Sequence, residues 1–392
     1  MRSTASLSRG AASVVHVAAT YPPDVCGIGD YTHLLTRALA DAGVPAEVWT
    51  RTGARADEGV RVVAERWDAA GVRSLLREVR ARRPRLIHFQ FETAVWKQNP
   101  RLNLLLPLAA KRAGARFVST LHSLDGPPAW GRASRAALLP LLLGSDSVIV
   151  CSERQRRALA HLPGGLGKRV TLVPVGTAIV PVGERPAMRA PGPLRFVYFG
   201  FVWRGRNIET LLRALAAVPD AAATLDIVGG IRDAAYHDEL VALAQNLNVV
   251  GRVRFRGDLP ADDVSRALHA ADVALLPFAT GASTGRTTLM AAFAHGLPVV
   301  TMAAPDNLSP LFKPGENLLV SSPEEEGAFV KNVMAAAQND ALRARLADGS
   351  VALARAFAWP EIARQTLALP AYQRAAVGVR LAAVPAAEGV VR

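Results

Sequence analysis

Cysteine, long apolar runs and acidic residues are all scarce in this sequence. Cys26 and Cys151 are its only cysteines and form no C-x-x-C pair, which argues against a zinc site and a disulfide framework. No run approaches the roughly 18 apolar residues that a membrane-spanning helix needs. The N-terminal stretch also lacks the apolar centre of a signal peptide. These absences predict a soluble, cytoplasmic protein.

The shortage of acidic residues leaves a strong positive charge. The sequence has 33 Asp and Glu against 46 Lys and Arg, a formal net charge of +13. Such an excess favours an anionic partner, such as a nucleotide, a phosphorylated lipid, an acidic membrane surface or nucleic acid. The arginines are spread along the chain, whereas a nucleic-acid footprint is usually clustered. We therefore expect no nucleic-acid partner, and we expect peripheral contact with a membrane.

Length and the order of the predicted elements indicate the architecture. A chain of 392 residues, half of them hydrophobic, suits two domains. Strands alternate with helices throughout, which predicts two Rossmann-like, doubly wound α/β domains facing a cleft. A Pro/Gly-rich linker is expected at 180–193. The predicted segments are a tail at 1–12, an N-terminal domain at 13–185, a C-terminal domain at 186–358, a last helix at 359–375 and a mobile tail at 376–392.

The segment 273–301 predicts an anion site. An apolar strand at Val273–Leu276 leads through a small-residue loop at 281–285 into a helix that begins at Thr287. The N-terminus of such a helix presents free N–H groups and a positive dipole end to the loop. An ordinary strand–turn–helix connection has the same composition. The candidate anion-binding residues are Ser283, Thr284, Gly285, Arg286 and Thr287, with Thr287 and Thr288 as helix caps.

The same loop matches the G-x-S-x-G nucleophile elbow of α/β-hydrolases, centred on Ser283. That reading requires a histidine later in the chain. Only His295 follows Ser283, and it lies in the helix that the elbow would start. The hydrolase interpretation is therefore rejected.

Two glycines near the N-terminus form a second candidate site. Gly27 and Gly29 lie in a predicted loop at 20–30, where they let the backbone approach a ligand or simply form a tight turn. Thr32 occupies the place of the third glycine of a dinucleotide fingerprint, and Arg51 stands where an acidic ribose ligand is expected. Hydride transfer is therefore not predicted.

Three further side chains follow predicted strands at the ligand-binding edge of a parallel sheet. His122 follows a strand at 117–121, while His88 lies inside a strand and is expected to be packed. Arg204 and Arg206 lie in a loop at 200–207. A packed core histidine is the alternative for His122.

Several segments together resemble the retaining family 4-type glycosyltransferases, which have the GT-B fold and use nucleotide sugars without a metal. The segments include TYPPDVCGIGDYTHLLTRAL, LIHFQFE, VSTLHSL, FVYFGFVWRGRNIETLLRAL and AFAHGLPVV. The resemblance implies that the N-terminal domain binds the acceptor and the C-terminal domain binds the nucleotide sugar. It implies that Gly27 and Gly29 approach the donor phosphates and that His122 lies beside the reacting sugar. It also implies that the loop at 200–208 holds the diphosphate and that the helix from Pro360 crosses back to the N-terminal domain.

The sequence departs from the family pattern at charged positions. Two glutamates usually lie eight residues apart, and here those positions are Ser283 and Ala291. Phe201 replaces the usual arginine after the phosphate-loop glycine, and Arg206 falls where a lysine is expected. Arg204 or Arg286 could supply the positive charge that is missing at Phe201. The absence of any D-x-D sequence agrees with a diphosphate stabilised by arginines and helix dipoles, without a metal or other cofactor.

These observations predict a transferase that moves a sugar from a nucleotide-diphosphate donor to an unknown acceptor with retention of anomeric configuration. The alternative is a non-catalytic nucleotide- or glycan-binding protein that supports a partner enzyme. The missing glutamates favour that alternative, whereas the phosphate-facing residues favour the enzyme.

Overall fold

The computed structural model describes residues 13–92, 96, 101–123, 132–162, 164–183, 192–304 and 308–375. It divides into two compact units, of which one comprises Met1–Pro174 with Trp359–Arg392 and the other Val175–Ala358. The predicted tails at 1–12 and 376–392, and positions 184–191 of the predicted linker, lie outside the described residues.

The first unit is built on a parallel sheet of seven strands in the order β3-β2-β1-β4-β5-β6-β7. The strands are β1 (Val14–Val17), β2 (Ala46–Arg51), β3 (Val60–Ala64), β4 (Leu86–Glu92), β5 (Arg116–Ser123), β6 (Ser147–Val150) and β7 (Val170–Leu172). Its helices are α1 (Gly27–Asp41), α2 (Ala69–Arg82), α3 (Leu102–Ala113), α4 (Arg132–Gly144), α5 (Glu153–Ala160), α12 (Trp359–Leu367) and α13 (Pro370–Ala375). Strands β1 and β6 are buried at every residue, in keeping with their mainly apolar sequences VVHV and SVIV.

The second unit is built on a parallel sheet of six strands in the order β10-β9-β8-β11-β12-β13. The strands are β8 (Arg195–Phe199), β9 (Thr224–Val228), β10 (Val253–Gly257), β11 (Val273–Leu276), β12 (Val299–Met302) and β13 (Leu319–Ser321). Its helices are α6 (Ile208–Ala217), α7 (Ala234–Asn246), α8 (Ala261–His269), α9 (Thr287–Ala294), α10 (Glu326–Gln338) and α11 (Asp340–Ala354). Short 3-10 helices occur at Leu166–Arg169, Val250–Arg252 and Arg355–Phe357. The prediction of two doubly wound parallel α/β sheets is confirmed.

Helix α1 begins earlier than the sequence predicts. Gly27 and Gly29 were expected in a loop, but both lie in the first turn of the helix, after an extended N-cap at Cys26. A Cβ atom on Gly29 would lie 3.1 Å from the Cα of Tyr21 and 3.2 Å from the carbonyl oxygen of Thr20. Glycine at this position lets the helix pack closely on the preceding loop, a tertiary contact that outweighs its low helix propensity.

The C-terminal part of the first unit contains two helices where the sequence predicts one. The single helix expected at 359–375 is interrupted after Leu367, and Pro370 is the first residue of α13. Proline is compatible with that position, because the first N–H group of a helix has no intrahelical partner. Helix α12 packs against α1, and α13 packs against strands β4 and β5.

Candidate active site

The first group of candidate residues surrounds the point in the second unit where the strand order reverses. Strands β8 and β11 are neighbours there, paired at Phe196 and Val273. The loop after β8 leads to α6, and the loop after β11 leads to α9. In open α/β sheets, ligands bind beyond the carboxyl ends of strands at such a reversal.

Helix α9 presents an N-terminus that no side chain caps. Its N-cap is Arg286, in extended conformation, and no side-chain hydrogen bond closes the first turn. The expected threonine caps are not formed, because Thr287 is already the first helical residue. The N–H groups of Thr287 and Thr288 have no backbone acceptor among the described residues, so they and the positive end of the helix dipole are available to an anion.

The side chain of Arg286 is oriented by two contacts. Its guanidinium carbon lies 5.1 Å from the ring centroid of Phe278, and Nη2 donates a hydrogen bond to Thr280 Oγ1. These contacts restrict the conformations of the Arg286 side chain and so hold its guanidinium beside the loop.

Arg206 has a buried donor that is not satisfied. Its Cζ lies 5.1 Å from the ring centroid of Trp203, while Nε is buried and has no hydrogen-bond partner among the described residues. A buried donor without an acceptor costs about 1–3 kcal/mol, so an acceptor supplied by a ligand would relieve this cost.

Tyr198 connects the two arginines electrostatically. Burial raises the pKa of its hydroxyl to about 12, and the positive charges of Arg206 and Arg286 both act in the opposite direction. Arg206 and Arg286, which are 80 positions apart in the sequence, thus act electrostatically on the same buried phenol.

Close backbone contacts position the loop that carries Arg206. The N–H group of Gly200 donates to the carbonyl of Val228 at 2.9 Å, and that of Val202 donates to the carbonyl of Gly230 at 2.9 Å. Gly229 has φ of 141°, and a Cβ atom there would lie 2.2 Å from the carbonyl oxygen of Gly200. Only glycine permits this approach of the loops after β8 and β9.

Arg204 lies in the same loop but is engaged elsewhere. It forms an exposed ion pair with Glu239 of α7 at 2.7 Å, and its Cζ lies 5.3 Å from the ring centroid of Tyr236.

Arg232 is a further arginine of this region that the sequence did not indicate. Its Cζ lies 4.4 Å from the ring centroid of Phe201, the residue at the family's arginine position, and it forms an ion pair with Asp258 at 3.3 Å.

The remaining loop residues are less exposed to a ligand. Ser283 is half-buried and its Oγ accepts a hydrogen bond from the Gly285 N–H group at 3.4 Å. Thr284 is fully buried, and its carbonyl accepts from the N–H group of Val175 at 2.9 Å. Ala291 is fully buried within α9.

The second group of candidate residues lies in the first unit, where His122 is the penultimate residue of β5. Its Nε2 lies 2.9 Å from Gln90 Oε1, and its ring centroid lies 4.8 Å from that of Tyr31. The hydroxyl of Tyr31 and Nε2 of Gln90 are buried and have no hydrogen-bond partner in the part of the chain that the structure describes. Three polar side chains of this group therefore lie together, and two of them have unused hydrogen-bonding capacity.

Burial lowers the pKa of His122 to about 3, so the imidazole is neutral near neutral pH. Since Gln90 Oε1 accepts from Nε2, the lone pair of the ring is on Nδ1. By contrast, His88 is fully buried and both its nitrogens are engaged, with Tyr372 Oη and Thr120 Oγ1, each at 2.7 Å. The prediction that His88 is packed is confirmed.

Two properties of the described residues bear on a metal and on a membrane. No group of three or more His, Cys, Asp or Glu side chains among them is arranged to hold a metal ion. None of the helices described is both long and apolar enough to cross a membrane.

Comparisons with known proteins agree with this architecture. The family model described as Glycosyltransferase Family 4 matches residues 25–179, and the model described as Glycosyl transferases group 1 matches residues 193–339. Glycogen synthase of Mycobacterium tuberculosis strain H37Rv is 27% identical over 335 residues, covering 74% of this chain and 77% of that protein. A D-inositol 3-phosphate glycosyltransferase of Xylanimonas cellulosilytica is 25% identical over 407 residues, covering 89% of this chain and 93% of that protein.

Among solved structures, HepE of Anabaena in complex with UDP and glucose is similar in fold. The TM-score is 0.70 at 16% identity, with 90% of this chain and 97% of that chain covered. The two doubly wound sheets and these matches define a glycosyltransferase of the GT-B fold. The chain belongs to glycosyltransferase family 4, and it is a retaining enzyme that uses a nucleotide-sugar donor.

Proposed function

We propose that the enzyme takes its sugar from a uridine-diphosphate hexose and that Arg206 and Arg286 bind the diphosphate. The observations that carry this proposal are the unsatisfied buried donor of Arg206 and the uncapped N-terminus of α9 with Arg286 as its N-cap, and the charges of both arginines act on Tyr198. Support for the uridine nucleotide comes from HepE, which is similar in fold and binds UDP and glucose.

The arginines have a defined task in this reaction. When the bond between the anomeric carbon and the phosphate oxygen breaks, the bonding electron pair leaves with the diphosphate. Positive groups aimed at that oxygen stabilise the developing charge. Arg206 and Arg286 supply two such groups, and the first turn of α9 supplies N–H donors. Arg204 acts indirectly, because its ion pair with Glu239 holds the loop in position.

Three further contacts complete the proposal. Ser283 Oγ hydrogen-bonds a sugar hydroxyl, in place of the glutamate that the family usually has there. The first turn of α1, with Gly27 and Gly29, directs N–H groups at the donor phosphates. His122 accepts a hydrogen bond from a hydroxyl of the reacting sugar through Nδ1, because Nε2 is already committed to Gln90.

The diphosphate assignment is tested by titration calorimetry with UDP. A charge-assisted hydrogen bond is worth about 1.5–3 kcal/mol, so Arg286→Ala and Arg206→Ala should each weaken binding roughly ten- to a hundredfold. Arg286→Lys should restore only part of the affinity, because an ammonium group lacks the planar fork. Arg213→Ala is the matched control, since Arg213 is an exposed arginine of the same unit that pairs with Glu326. Unchanged affinity in Arg286→Ala would exclude Arg286 from the site.

The donor assignment is tested by a thermal-shift screen of nucleotide sugars, because a ligand that binds only the folded state raises its melting temperature. A uridine-diphosphate hexose should give the largest shift, and its hydrolysis or transfer should then be measurable. A larger shift with guanosine or adenosine donors would contradict the uridine assignment. Binding without any turnover would favour the non-catalytic alternative that the missing glutamates suggest.

A further inference from the structure

The second unit contains a cleft that lies apart from the candidate active site. The cleft has a volume of about 760 Å³ and lies between helix α8 and strands β8, β9 and β10. Its lining includes Arg195 and Thr224, the first residues of β8 and β9. The loop that carries Arg206 follows the other end of β8, and a strand of this length spans about 13 Å. The described lining includes none of the donor-binding candidates, so the cleft is separate from them.

The order of the strands explains why this face of the sheet is open. The chain steps outward from β8 to β9 to β10 and then returns through α8 to β11. Because crossovers between parallel strands are right-handed, this return places α8 on the face opposite α6 and α7. Helix α8 packs against β9 and leaves Arg254 and Arg256 of the edge strand β10 exposed. By contrast, β11 in the middle of the sheet is buried at every residue.

The lining of the cleft has an excess of positive charge. It includes four arginines and two aspartates, namely Arg195, Arg254, Arg256, Arg266, Asp226 and Asp263. We call this cleft, with its four arginines, the arginine cleft. Arg266 pairs with Asp263 of its own helix at 2.5 Å. The other three arginines face one remaining carboxylate of the lining, that of Asp226, so positive charge is left for an anionic ligand.

Asp226 orients two of these arginines. Its Oδ1 accepts a hydrogen bond from Arg254 Nε at 2.6 Å, and its Oδ2 accepts one from Arg256 Nη1 at 2.9 Å. The side chain of Asp226 is only 16% exposed, whereas those of Arg254 and Arg256 are 56% and 42% exposed. The carboxylate therefore lies at the base of the cleft, and the two guanidinium groups keep other N–H donors for a ligand. A single carboxylate holds both groups in position but neutralises the charge of only one.

Arg195 completes the group from a neighbouring strand. Strand β9 pairs with β8 and with β10, so that Thr224 lies beside Arg195 and Asp226 lies beside Arg254. Residues two apart on a strand share a face, which places the side chains of Arg195 and Arg254 on the same face of the sheet. Arg195 is exposed, and its guanidinium has no ion-pair or hydrogen-bond partner in the part of the chain that the structure describes. This cation is therefore available to a ligand.

These features define the chemistry of the ligand. Planar guanidinium groups bind the oxygens of a phosphate in pairs, and three of them converge on this face. The volume of the cleft lies within the range of pockets that hold small molecules. Ala267 and Ala270 of α8 give the cleft an apolar wall for the remainder of such a molecule.

We propose that the arginine cleft binds a small phosphorylated molecule and that Arg195, Arg254 and Arg256 contact its phosphate. The net charge of the sequence favours an anionic partner, and the arginine cleft adds a second anion site to the donor site. The proposal does not depend on the donor assignment, because the two groups of arginines have no member in common.

Titration calorimetry with inorganic pyrophosphate tests the proposal. The parent protein is the full-length double variant Arg206→Ala with Arg286→Ala, in which binding at the proposed donor site is weakened. This parent should bind one pyrophosphate per chain in a saturable manner. Adding Arg195→Gln should weaken that binding roughly tenfold, because one charged contact to the phosphate is lost. Adding Arg256→Gln should have a similar effect, while Asp226 keeps Arg254 as its partner.

Matched controls separate binding in the cleft from general charge attraction. Arg345→Gln removes an exposed arginine of α11 that, like Arg195, has no ion-pair partner among the described residues, and Arg213→Gln removes one that pairs with Glu326. Both controls should bind pyrophosphate like the parent, and circular dichroism melting should show that every variant is folded.

Three results would overturn the proposal. The parent could fail to bind pyrophosphate, including the case in which only long-chain polyphosphate binds and the ligand is a polymer. The Arg195→Gln and Arg256→Gln variants could bind pyrophosphate as tightly as the parent. Arg345→Gln could weaken binding as much as Arg195→Gln, which would show attraction to the overall positive charge instead of a site. If Arg206 and Arg286 prove not to bind UDP, the same comparison still tests the cleft.

Discussion

His122 illustrates at the residue scale how burial determines the chemistry of a side chain. Its pKa is lowered to about 3, so it cannot act as a proton donor in its charged form near neutral pH. Its side-chain hydrogen bond to Gln90 uses Nε2 and leaves Nδ1 as an acceptor. A neutral, oriented imidazole of this kind suits the binding of a sugar hydroxyl.

We expect His122→Ala to lower kcat by more than about 100-fold, since a positioned contact to the reacting sugar is lost. Stability should fall by only about 1–3 kcal/mol, because one hydrogen bond and one aromatic contact are removed. Turnover should be measured well below the melting temperature of the variant. The control is His161→Ala, which removes an exposed histidine of the same unit. A loss of activity no larger than the loss of folded protein would show that His122 is only a packing residue.

At the element scale, one buried hydroxyl connects the short helix α13 to two strands of the sheet. Tyr372 Oη lies 2.7 Å from His88 Nδ1 and 3.2 Å from His16 Nε2, and all three side chains are fully buried. The histidines belong to β4 and β1, so one tyrosine joins the C-terminal helix to two central strands. This contact lies between residues 356 positions apart in the sequence.

Tyr372→Phe should lower the free energy of unfolding by about 1–3 kcal/mol, because two buried imidazoles lose a hydrogen-bond partner while the packing volume is kept. Urea unfolding at neutral pH measures this change. Arg374→Ala on the exposed side of the same helix is the matched control and should change stability by less than about 0.5 kcal/mol. Equal stability of Tyr372→Phe and the wild type would show that the hydroxyl contributes nothing to the docking of α13.

At the scale of the whole molecule, buried neutral histidines make stability depend on pH. Burial lowers the pKa of His16 and His122 from 6.5 to about 3, and it lowers that of His88 well below 6.5. In the unfolded chain these groups take up protons as the pH falls below 6.5, while the folded chain does not until far lower pH. The free energy of unfolding therefore decreases as the pH falls from 6.5 toward 3, and this loss is absent above 6.5.

Between about pH 7.5 and pH 5.5 we expect a loss of about 1.4 kcal/mol for each of these three histidines, or about 4 kcal/mol together. Urea unfolding at the two pH values measures the difference. The matched control is His161→Gln, which replaces an exposed histidine of the same unit. If the wild type is equally stable at both pH values, the histidines are not neutral in the folded protein as the structure indicates.

Much of the secondary structure could be predicted from the sequence. Strand β11 has the predicted bounds, and helix α9 begins at Thr287 as predicted. Their signals are local: apolar periodicity defines the element, and glycine, proline or polar residues mark its ends. The family was also recognisable, because ordered segments along the chain carry it. The domain boundaries and the roles of the site residues stay predictions.

Other features were decided only by tertiary structure. The start of α1 at Gly27 depends on the contact of Gly29 with Tyr21, and α13 depends on Tyr372 reaching His16 and His88. Likewise, nothing in the local sequence distinguishes Arg204, paired with Glu239, from Arg206, whose Nε is buried without a partner in the described chain. The sequence by itself determined the elements, their order and the family, since these depend on local patterns. Tertiary structure determined which charges are satisfied and which remain open to a ligand, because partners that are distant in sequence meet only when the sheets form.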